Sequence, residues 1–578
     1  MKMSSTILFD ISRKYVQDNQ ALIGKEATDR ILGWIRSRSL PHLTSVCESS
    51  MPALASKDTV RVLMQIEAFF KKNALFADPV KCSQACVDSF LEAENKCAVT
   101  NRRLDNHYRD RDFLSPDIML WVDRMQADIA SCLGSYRTFL DSVPSRIRFT
   151  SGATSTRSRR NSRPHEKVSL RPRGSYSTHL YLSTLAESLG YKVYKGRLST
   201  FNRVEEVLKN WETNRMIACE NEGDLILQLA FDSYAKERLR SYFGVDLSDQ
   251  SRNQRLAHVG SLGSDFNEYE IATADLKWAS DTCAYNAVAL LFPFEFFSYL
   301  AQCRARNGHL PDGRMLRYEK FSSMGNGSTF AIESLIFAAA CRALKPKTWS
   351  VYGDDIIIDS DCVDDLARLL AYLGFELNMK KTHVTGPFRE SCGGNFYEGS
   401  DVTPFYVRDF DSRKANQCHL VNGLAGVAVP GGELWKFLLL LTEKWKLPLV
   451  PYNYSSTSGV WIEPYFAYAE KKLRSRHGML QFKGLVPRNR STYVGDSRCL
   501  FLWHLDAISR EPRAGISTLG RVRGSVTHPV EITNVVRSEA PSPSFKYVRK
   551  WIYWNVPVAV TPLHLTWWSE DLTRRKAS

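Results

Sequence analysis

Apolar residues recur at near-helical spacing from Val60 to Phe70 and again from Ile31 to Ile35, where Thr28 or Asp29 stands as an N-cap. The first 140 or so residues therefore read as helix-rich. Between Ile271 and Leu373 the pattern becomes one of alternating short strands and helices. Ile271 to Ala274 reads as extended, Ala284 to Leu291 as helical, and Ser328 to Leu344 as a second helix stopped by Pro346. The apolar runs Trp349 to Tyr352 and Ile356 to Ile358 flank Gly353-Asp354-Asp355, a hairpin pattern. Ser360 or Asp361 then caps a third helix that carries Val363, Leu366, Leu370 and Leu373 and ends at Gly374. This block predicts an α+β fold, a sheet with helices on one face. No internal repeat stands out.

Two other stretches break the pattern. From Arg146 to Arg173 the cations Arg157, Arg159, Arg160, Arg163, Lys167, Arg171 and Arg173 crowd a segment punctuated by Ser, Gly and Pro, with Glu166 as the one acid. It reads either as a solvated charge run or as a loop that contacts phosphates. From Phe545 to Trp568, Tyr and Trp alternate with Lys546, Arg549 and Lys550. Such a stretch either stacks bases and holds phosphates or packs as a terminal strand and helix.

Composition narrows the partner. Lys and Arg number 77 against 62 Asp and Glu in 578 residues, a formal charge of +15 that attracts polyanions through counterion release. The 13 cysteines are an odd number without the dense spacing of a disulfide scaffold, which points to a reducing compartment. Cys82 and Cys86 have no neighbouring His or paired Cys to complete a zinc site. Met1 to Tyr15 lacks the long apolar stretch of a signal peptide, and Val288 to Phe297 and Phe437 to Leu441 are too short or interrupted to span a bilayer, so a soluble chain without membrane association is expected.

The chemistry concentrates in three places. Asp354 and Asp355 occupy the tip of a hairpin between buried runs, where adjacent carboxylates repel unless a cation, best a hard divalent ion, neutralises them. A lone Asp-Asp pair is usually a turn, but a turn needs neither flanking apolar strands nor a third acid. That third acid is Asp275, at the end of Ile271-Ala272-Thr273-Ala274; alone it would read as a helix cap. Beside the hairpin, it could share two Mg²⁺ ions about 3.5 to 4 Å apart that stabilise the attacking and leaving oxygens of an in-line phosphoryl displacement. Ser322-Ser323-Met324-Gly325-Asn326-Gly327-Ser328-Thr329 is a Gly-rich loop running into a helix with Glu333, a form that lets backbone approach a ligand.

In this order the motifs resemble those of viral RNA-dependent RNA polymerases, most closely the replicase β-subunits of the single-stranded RNA bacteriophages, the leviviruses. The resemblance rests on Asp275-Leu276 with Ala279-Ser280-Asp281, on Ser322 to Gly327 and on Tyr352-Gly353-Asp354-Asp355. It extends through Asn378-Met379-Lys380-Lys381-Thr382, Gly386 to Gly393 and Asp401 to Arg408, with Asp249-Gln250 and Asn253-Gln254-Arg255 upstream. The resemblance implies a right-hand fold of palm, fingers and thumb with an antiparallel palm sheet. It divides the chain into a helix-rich region (1–145), fingers with the basic loop (146–264), a palm core with part of the fingers (265–408), and a thumb and C-terminal region (409–578). It implies primer-independent copying of single-stranded RNA from NTPs with two Mg²⁺ ions, for which Mn²⁺ can substitute, in the cytoplasm of an infected bacterium. Host elongation factors Tu and Ts and an RNA-binding ribosomal protein are partners by the same implication.

Residue by residue, it assigns the metals to Asp275, Asp354 and Asp355, and the proton for leaving pyrophosphate to Lys380 or Lys381. The nucleotide falls to Lys209, Arg215, Gly325 and Asn326, with its ribose 2′-hydroxyl read by Ser280 or Asp281 together with Glu333; Arg157, Arg159, Arg160 and Arg163 are assigned to RNA. The chain departs from many viral polymerases in the interval from Asp275 to Asp281, one residue longer, and in Glu333, where many have Asn. A reverse transcriptase is disfavoured by Ser280-Asp281, since its sugar-facing position is typically bulky. A metal nuclease would need neither the Gly-rich loop nor the Asn378 to Thr382 motif, and a basic RNA-packaging protein has no need of the ordered acids.

Overall fold

In the computed structural model the expected hairpin forms the middle and one edge of a three-stranded antiparallel sheet. The described residues are 5–51, 55–111, 114–150, 152–158, 167, 171–191, 196–263, 270–408, 411–464, 473–476, 479–487, 547–553 and 562–577. Strand Asp355–Asp359 lies between Ile271–Ala274 and Trp349–Tyr352, with Ile356 opposite Ala274 on one side and Val351 on the other. Its three isoleucines are fully buried, and they point to different cores: Ile356 and Ile358 pack with the helices, Ile357 with Ala257, Ile271 and Phe396. The sheet is thus covered on both faces, not one. The unbroken apolar run is the sign of this, since a strand with one wet face alternates.

Helix Thr329–Ala343 is buried over almost its whole surface and, with Val363–Leu373, Pro116–Leu133 and Glu222–Phe243, builds the core over the sheet. Gly374, left-handed at φ 98°, ends Val363–Leu373 as expected. Two starts differ from expectation. A 3₁₀ turn, Ser360–Cys362, precedes Val363, so neither Ser360 nor Asp361 is the cap. The helix around Ile31 begins at Lys25 after Gly24, and the Thr28 hydroxyl bonds back to the Gly24 carbonyl (2.7 Å) within it.

A second core unites the two ends of the chain. Helices Ser5–Asp18, Lys25–Ser37 and Lys57–Phe70 pack against Lys414–Ala425, Glu433–Lys444 and Leu563–Ala577. Within it Trp568 meets Trp435 edge-on (ring centroids 4.9 Å apart), and strand Tyr547–Tyr553 pairs with Met479–Pro487. The described part of the aromatic C-terminal stretch is therefore packed strand and helix. The long helix Pro79–Asp105, capped by Asp78 through the Val80 and Lys81 N–H groups (3.0 and 3.3 Å), spans the two halves of the site. Phe90 packs with Val204 and Tyr318, and Cys97 and Leu104 with Ala284 and Ala287. Cys82 donates to the Trp211 carbonyl (3.2 Å) and Cys86 lies in the apolar cluster with Phe90. Among the described residues no helix is long and apolar enough to cross a membrane.

Candidate active site

Asp275 follows Ala274 where that strand leaves the sheet, one step beyond the Ala274–Ile356 pair, which brings it level with Asp355. Asp354 sits in the turn itself. The turn requires Gly353: its φ is +62°, and a Cβ there would lie 2.3 Å from the Phe330 ring, which packs on the hairpin and meets Tyr352 edge-on. Asn253, donating to the Asp355 carbonyl (3.1 Å) and accepting from the Ser350 hydroxyl (2.6 Å), ties both strands of the hairpin to helix Ser251–Gly260.

The electrostatics show three acids sharing one field. Burial first, then Asp354, pushes the Asp355 carboxyl up to about 7. Burial and then Asp275 raise Asp354, although it is exposed to solvent. Asp275 is held on one side: its carboxylate accepts from the Asn378 amide (3.0 Å) and pairs with Lys381 (3.4 Å), while its carbonyl accepts from the Asn378 N–H (2.8 Å). Asn378 thus fixes Asp275 twice. Lys381 is held above the usual lysine range, burial opposing and Asp275 and Glu390 favouring its charge; Lys380 and Lys381 are both exposed, and Lys381 is the one paired with Asp275.

In a separate sheet, Phe201–Leu208 and Asn214–Cys219 pair with Val207 opposite Arg215. Burial, Arg215 and Lys381 lower the Lys209 pKa while Asp275 and Asp281 support its charge, and Arg215 acts on Asp354. Lys209 and Arg215 therefore lie within electrostatic reach of the acids. Glu220 and Glu222, which follow them, are structural. Glu220 is buried and accepts from Asn202 (2.8 Å) and Gln228 (3.2 Å); Glu222 accepts from the hydroxyls of Thr154 and Thr156. Through these bonds the turn Thr154 to Arg157 is fastened to the start of helix Glu222–Phe243, and its Arg157 carbonyl accepts from Arg203 of the sheet (3.2 Å). Arg159, Arg160 and Arg163 lie outside the described residues.

The Gly-rich loop leans on the same sheet, the Met324 carbonyl accepting from Ala218 N–H (2.8 Å). Gly325 (φ +112°) is needed because a Cβ would stand 2.2 Å from the Ala218 carbonyl oxygen. The Asn326 side chain accepts from Ser328 N–H (2.9 Å) and hydroxyl (2.8 Å), which turns it toward the helix start. Glu333, buried one turn into that helix, is pushed to about 8 by burial against a hydrogen bond with Ser280, and its Oε1 has no hydrogen-bond partner among the described residues. Asp281 caps no helix: Tyr285–Leu291 starts after Ala284 without a side-chain cap, and Asp281 pairs instead with Lys320 (2.8 Å). Sequence reasoning passed over Lys320, Asn253 and the role of Asn378. The last two stand inside recognised motifs, a signal that was available; Lys320 carries none.

Among the described residues, no three acidic, His or Cys side chains are gathered into a ready-made metal cage; Asp275 is engaged by Lys381 and Asn378. In kind the donors fit a hard divalent cation: carboxylates alone, two of them raised by burial and mutual repulsion.

Carboxylates brought together at the end of an antiparallel sheet, within electrostatic reach of cations, narrow the class to phosphoryl-transfer proteins. The chain belongs to the RNA replicase, beta-chain family, whose model matches residues 58–476. It is similar to the RNA-directed RNA polymerase subunit beta of Qbeta virus (strain MX1), 40% identical over 329 residues, covering 56% of this chain and 55% of that one. It is also similar to the subunit of Enterobacteria phage SP (38% over 392 residues, 64% and 66%) and the beta chain of Escherichia phage MS2 (35% over 336 residues, 55% and 60%). The chain thus spans between about half and two thirds of the length of these curated relatives. Among solved structures, the RNA-dependent RNA polymerase of a human picorbirnavirus overlaps at TM-score 0.33 with 13% identity, covering 43% of this chain and 57% of that one.

Proposed function

We propose that the chain is the catalytic subunit of an RNA-dependent RNA polymerase, copying single-stranded RNA from NTPs without a primer. The observation that carries this reading is the convergence of Asp275, Asp354 and Asp355 on one sheet opposite Lys209 and Arg215. On this reading 265–408 is the palm with part of the fingers and 146–264 the remainder of the fingers. The stretch 1–145 is the N-terminal helical region, and 409–578 is the thumb with the C-terminal region, of a right-hand fold. The acids hold two Mg²⁺ ions, replaceable by Mn²⁺, which when bound lower the pKa of the attacking 3′-hydroxyl and neutralise the triphosphate.

The chain's own residues do the rest. Lys209 and Arg215 grip the triphosphate and stabilise charge on the transferring phosphoryl group. Lys381, beside Asp275, donates the proton to departing pyrophosphate, the role for which Lys380 is placed less well. Gly325 brings backbone close to the base pair, and Asn326 holds that loop in shape. Asp281, with the Ser280–Glu333 pair, reads the ribose 2′-hydroxyl; the Glu333 Oε1, which has no hydrogen-bond partner among the described residues, supplies a polar group there. Arg157, Arg159, Arg160 and Arg163 contact RNA phosphates. Host elongation factors Tu and Ts and a ribosomal RNA-binding protein complete the enzyme in the cytoplasm of the infected bacterium, away from membranes. The test is template-dependent release of pyrophosphate from NTPs by the chain purified with its host proteins; release of mononucleotides from RNA instead would establish a nuclease.

A further inference from the structure

Lys320 lies outside every recognised motif, yet its side chain is fully buried. Its ammonium is 2.8 Å from Asp281 Oδ1, 3.2 Å from Glu94 Oε1 and 3.5 Å from the centre of the Phe90 ring. The backbone is equally fixed. Lys320 bridges to Ala284, its carbonyl accepts from Arg304 (2.7 Å), and Glu94 Oε2 accepts the N–H groups of Glu319 (2.7 Å) and Lys320 (3.4 Å). A buried ammonium persists only where counter-charges and ring faces replace water, and such a group holds its partners in one geometry.

One of those partners is Asp281, which shares its surroundings with two further acids, Glu333 and Asp354. The Lys320 ammonium, itself held by Glu94 and Phe90, fixes Asp281 through Oδ1, so that the other carboxylate oxygen, in a defined direction, is left for a donor.

We propose that Lys320 is a positioning residue for sugar recognition: anchored by Glu94 and Phe90 of helix Pro79–Asp105, it sets the Asp281 carboxylate that accepts the ribose 2′-hydroxyl. This rests on the reading of Asp281 given above. It makes helix Pro79–Asp105 part of the apparatus that selects ribonucleotides.

The experiment compares wild type, Lys320→Met, Asp281→Asn and the double variant in the whole enzyme, reading the ratio of kcat/KM for ribo- over deoxyribonucleotides on an RNA template. Lys320→Met is expected to lower the ratio by about tenfold or more, since sites that bond a substrate hydroxyl discriminate through it. In the Asp281→Asn background it is expected to lower the ratio no further, a non-additivity that lost stability alone would not produce. A Lys320→Met enzyme with reduced Tm and an unchanged ratio, beside an Asp281→Asn enzyme whose ratio falls, would overturn this inference and leave the Asp281 reading standing. An unchanged ratio in Asp281→Asn would overturn both. Should Lys320→Met fail to fold, Glu94→Gln serves: it keeps the volume, loosens the anchor and is expected to lower the ratio by a smaller factor, an unchanged ratio again counting against the proposal.

Discussion

Lys381 and Lys380 are neighbours in sequence and both exposed, yet Lys381 pairs with Asp275 (3.4 Å). If Lys381 is the proton donor, Lys381→Met lowers the single-turnover rate about 10²-fold, in the range general acids contribute, while Lys380→Met changes it by less than about threefold. Equal effects would remove the assignment. A second residue-scale consequence concerns pH. Burial pushes Glu220 up to about 7, against the hydrogen bonds from Asn202 and Gln228. Its folded pKa exceeds the unfolded one, so its contribution to stability is complete below the unfolded value and is lost as pH rises through about 7; Glu333, near 8, has the same sign. The Tm is therefore expected to fall between about pH 5 and pH 8, and Glu220→Gln to flatten the early part of that fall. A slope identical to wild type would show that Glu220 does not titrate there.

The hairpin shows what a sequence can specify at the scale of an element. Two apolar runs about Gly353-Asp354-Asp355 fixed both strands, and the acid ending Ile271–Ala274 marked the neighbour, because buried strands that end in acids need a shared cation to neutralise them. The register that sets Asp275 beside Asp355 came only with the fold, as did the second covered face. Helix starts at Lys25 and Val363 were missed because capping residues compete with back-bonded Thr and with 3₁₀ turns, which sequence does not separate. Gly353→Ala tests the element directly. The positive φ and the Phe330 ring together are expected to cost about 1–3 kcal/mol, read as a lower Tm. An unchanged Tm would mean that the turn relaxes without strain.

For the whole molecule, the least legible feature is the shared core of the chain's two ends. An apolar stripe says that a helix is buried, not what buries it, so nothing in Ser5–Asp18 names Glu433–Lys444 as its partner. Lys320 escaped for the same reason: its importance lies wholly in tertiary contacts. Trp435, fully buried against Trp568 and donating to Asp571 (2.8 Å), is central to this core. Trp435→Ala is expected to cost about 3–5 kcal/mol and to raise hydrogen exchange in Ser5–Asp18 and Leu563–Ala577 together. Exchange confined to one end would show that the two are independent. The central claim, that Asp275, Asp354 and Asp355 form the catalytic centre of an RNA-copying enzyme, is tested most directly by Asp354→Asn. The substitution removes a charge from the hairpin turn without removing packing volume. Measured on an RNA template with NTPs and Mg²⁺, the variant is expected to retain its Tm and RNA affinity and to release no template-dependent pyrophosphate; release at a near wild-type rate would contradict the claim.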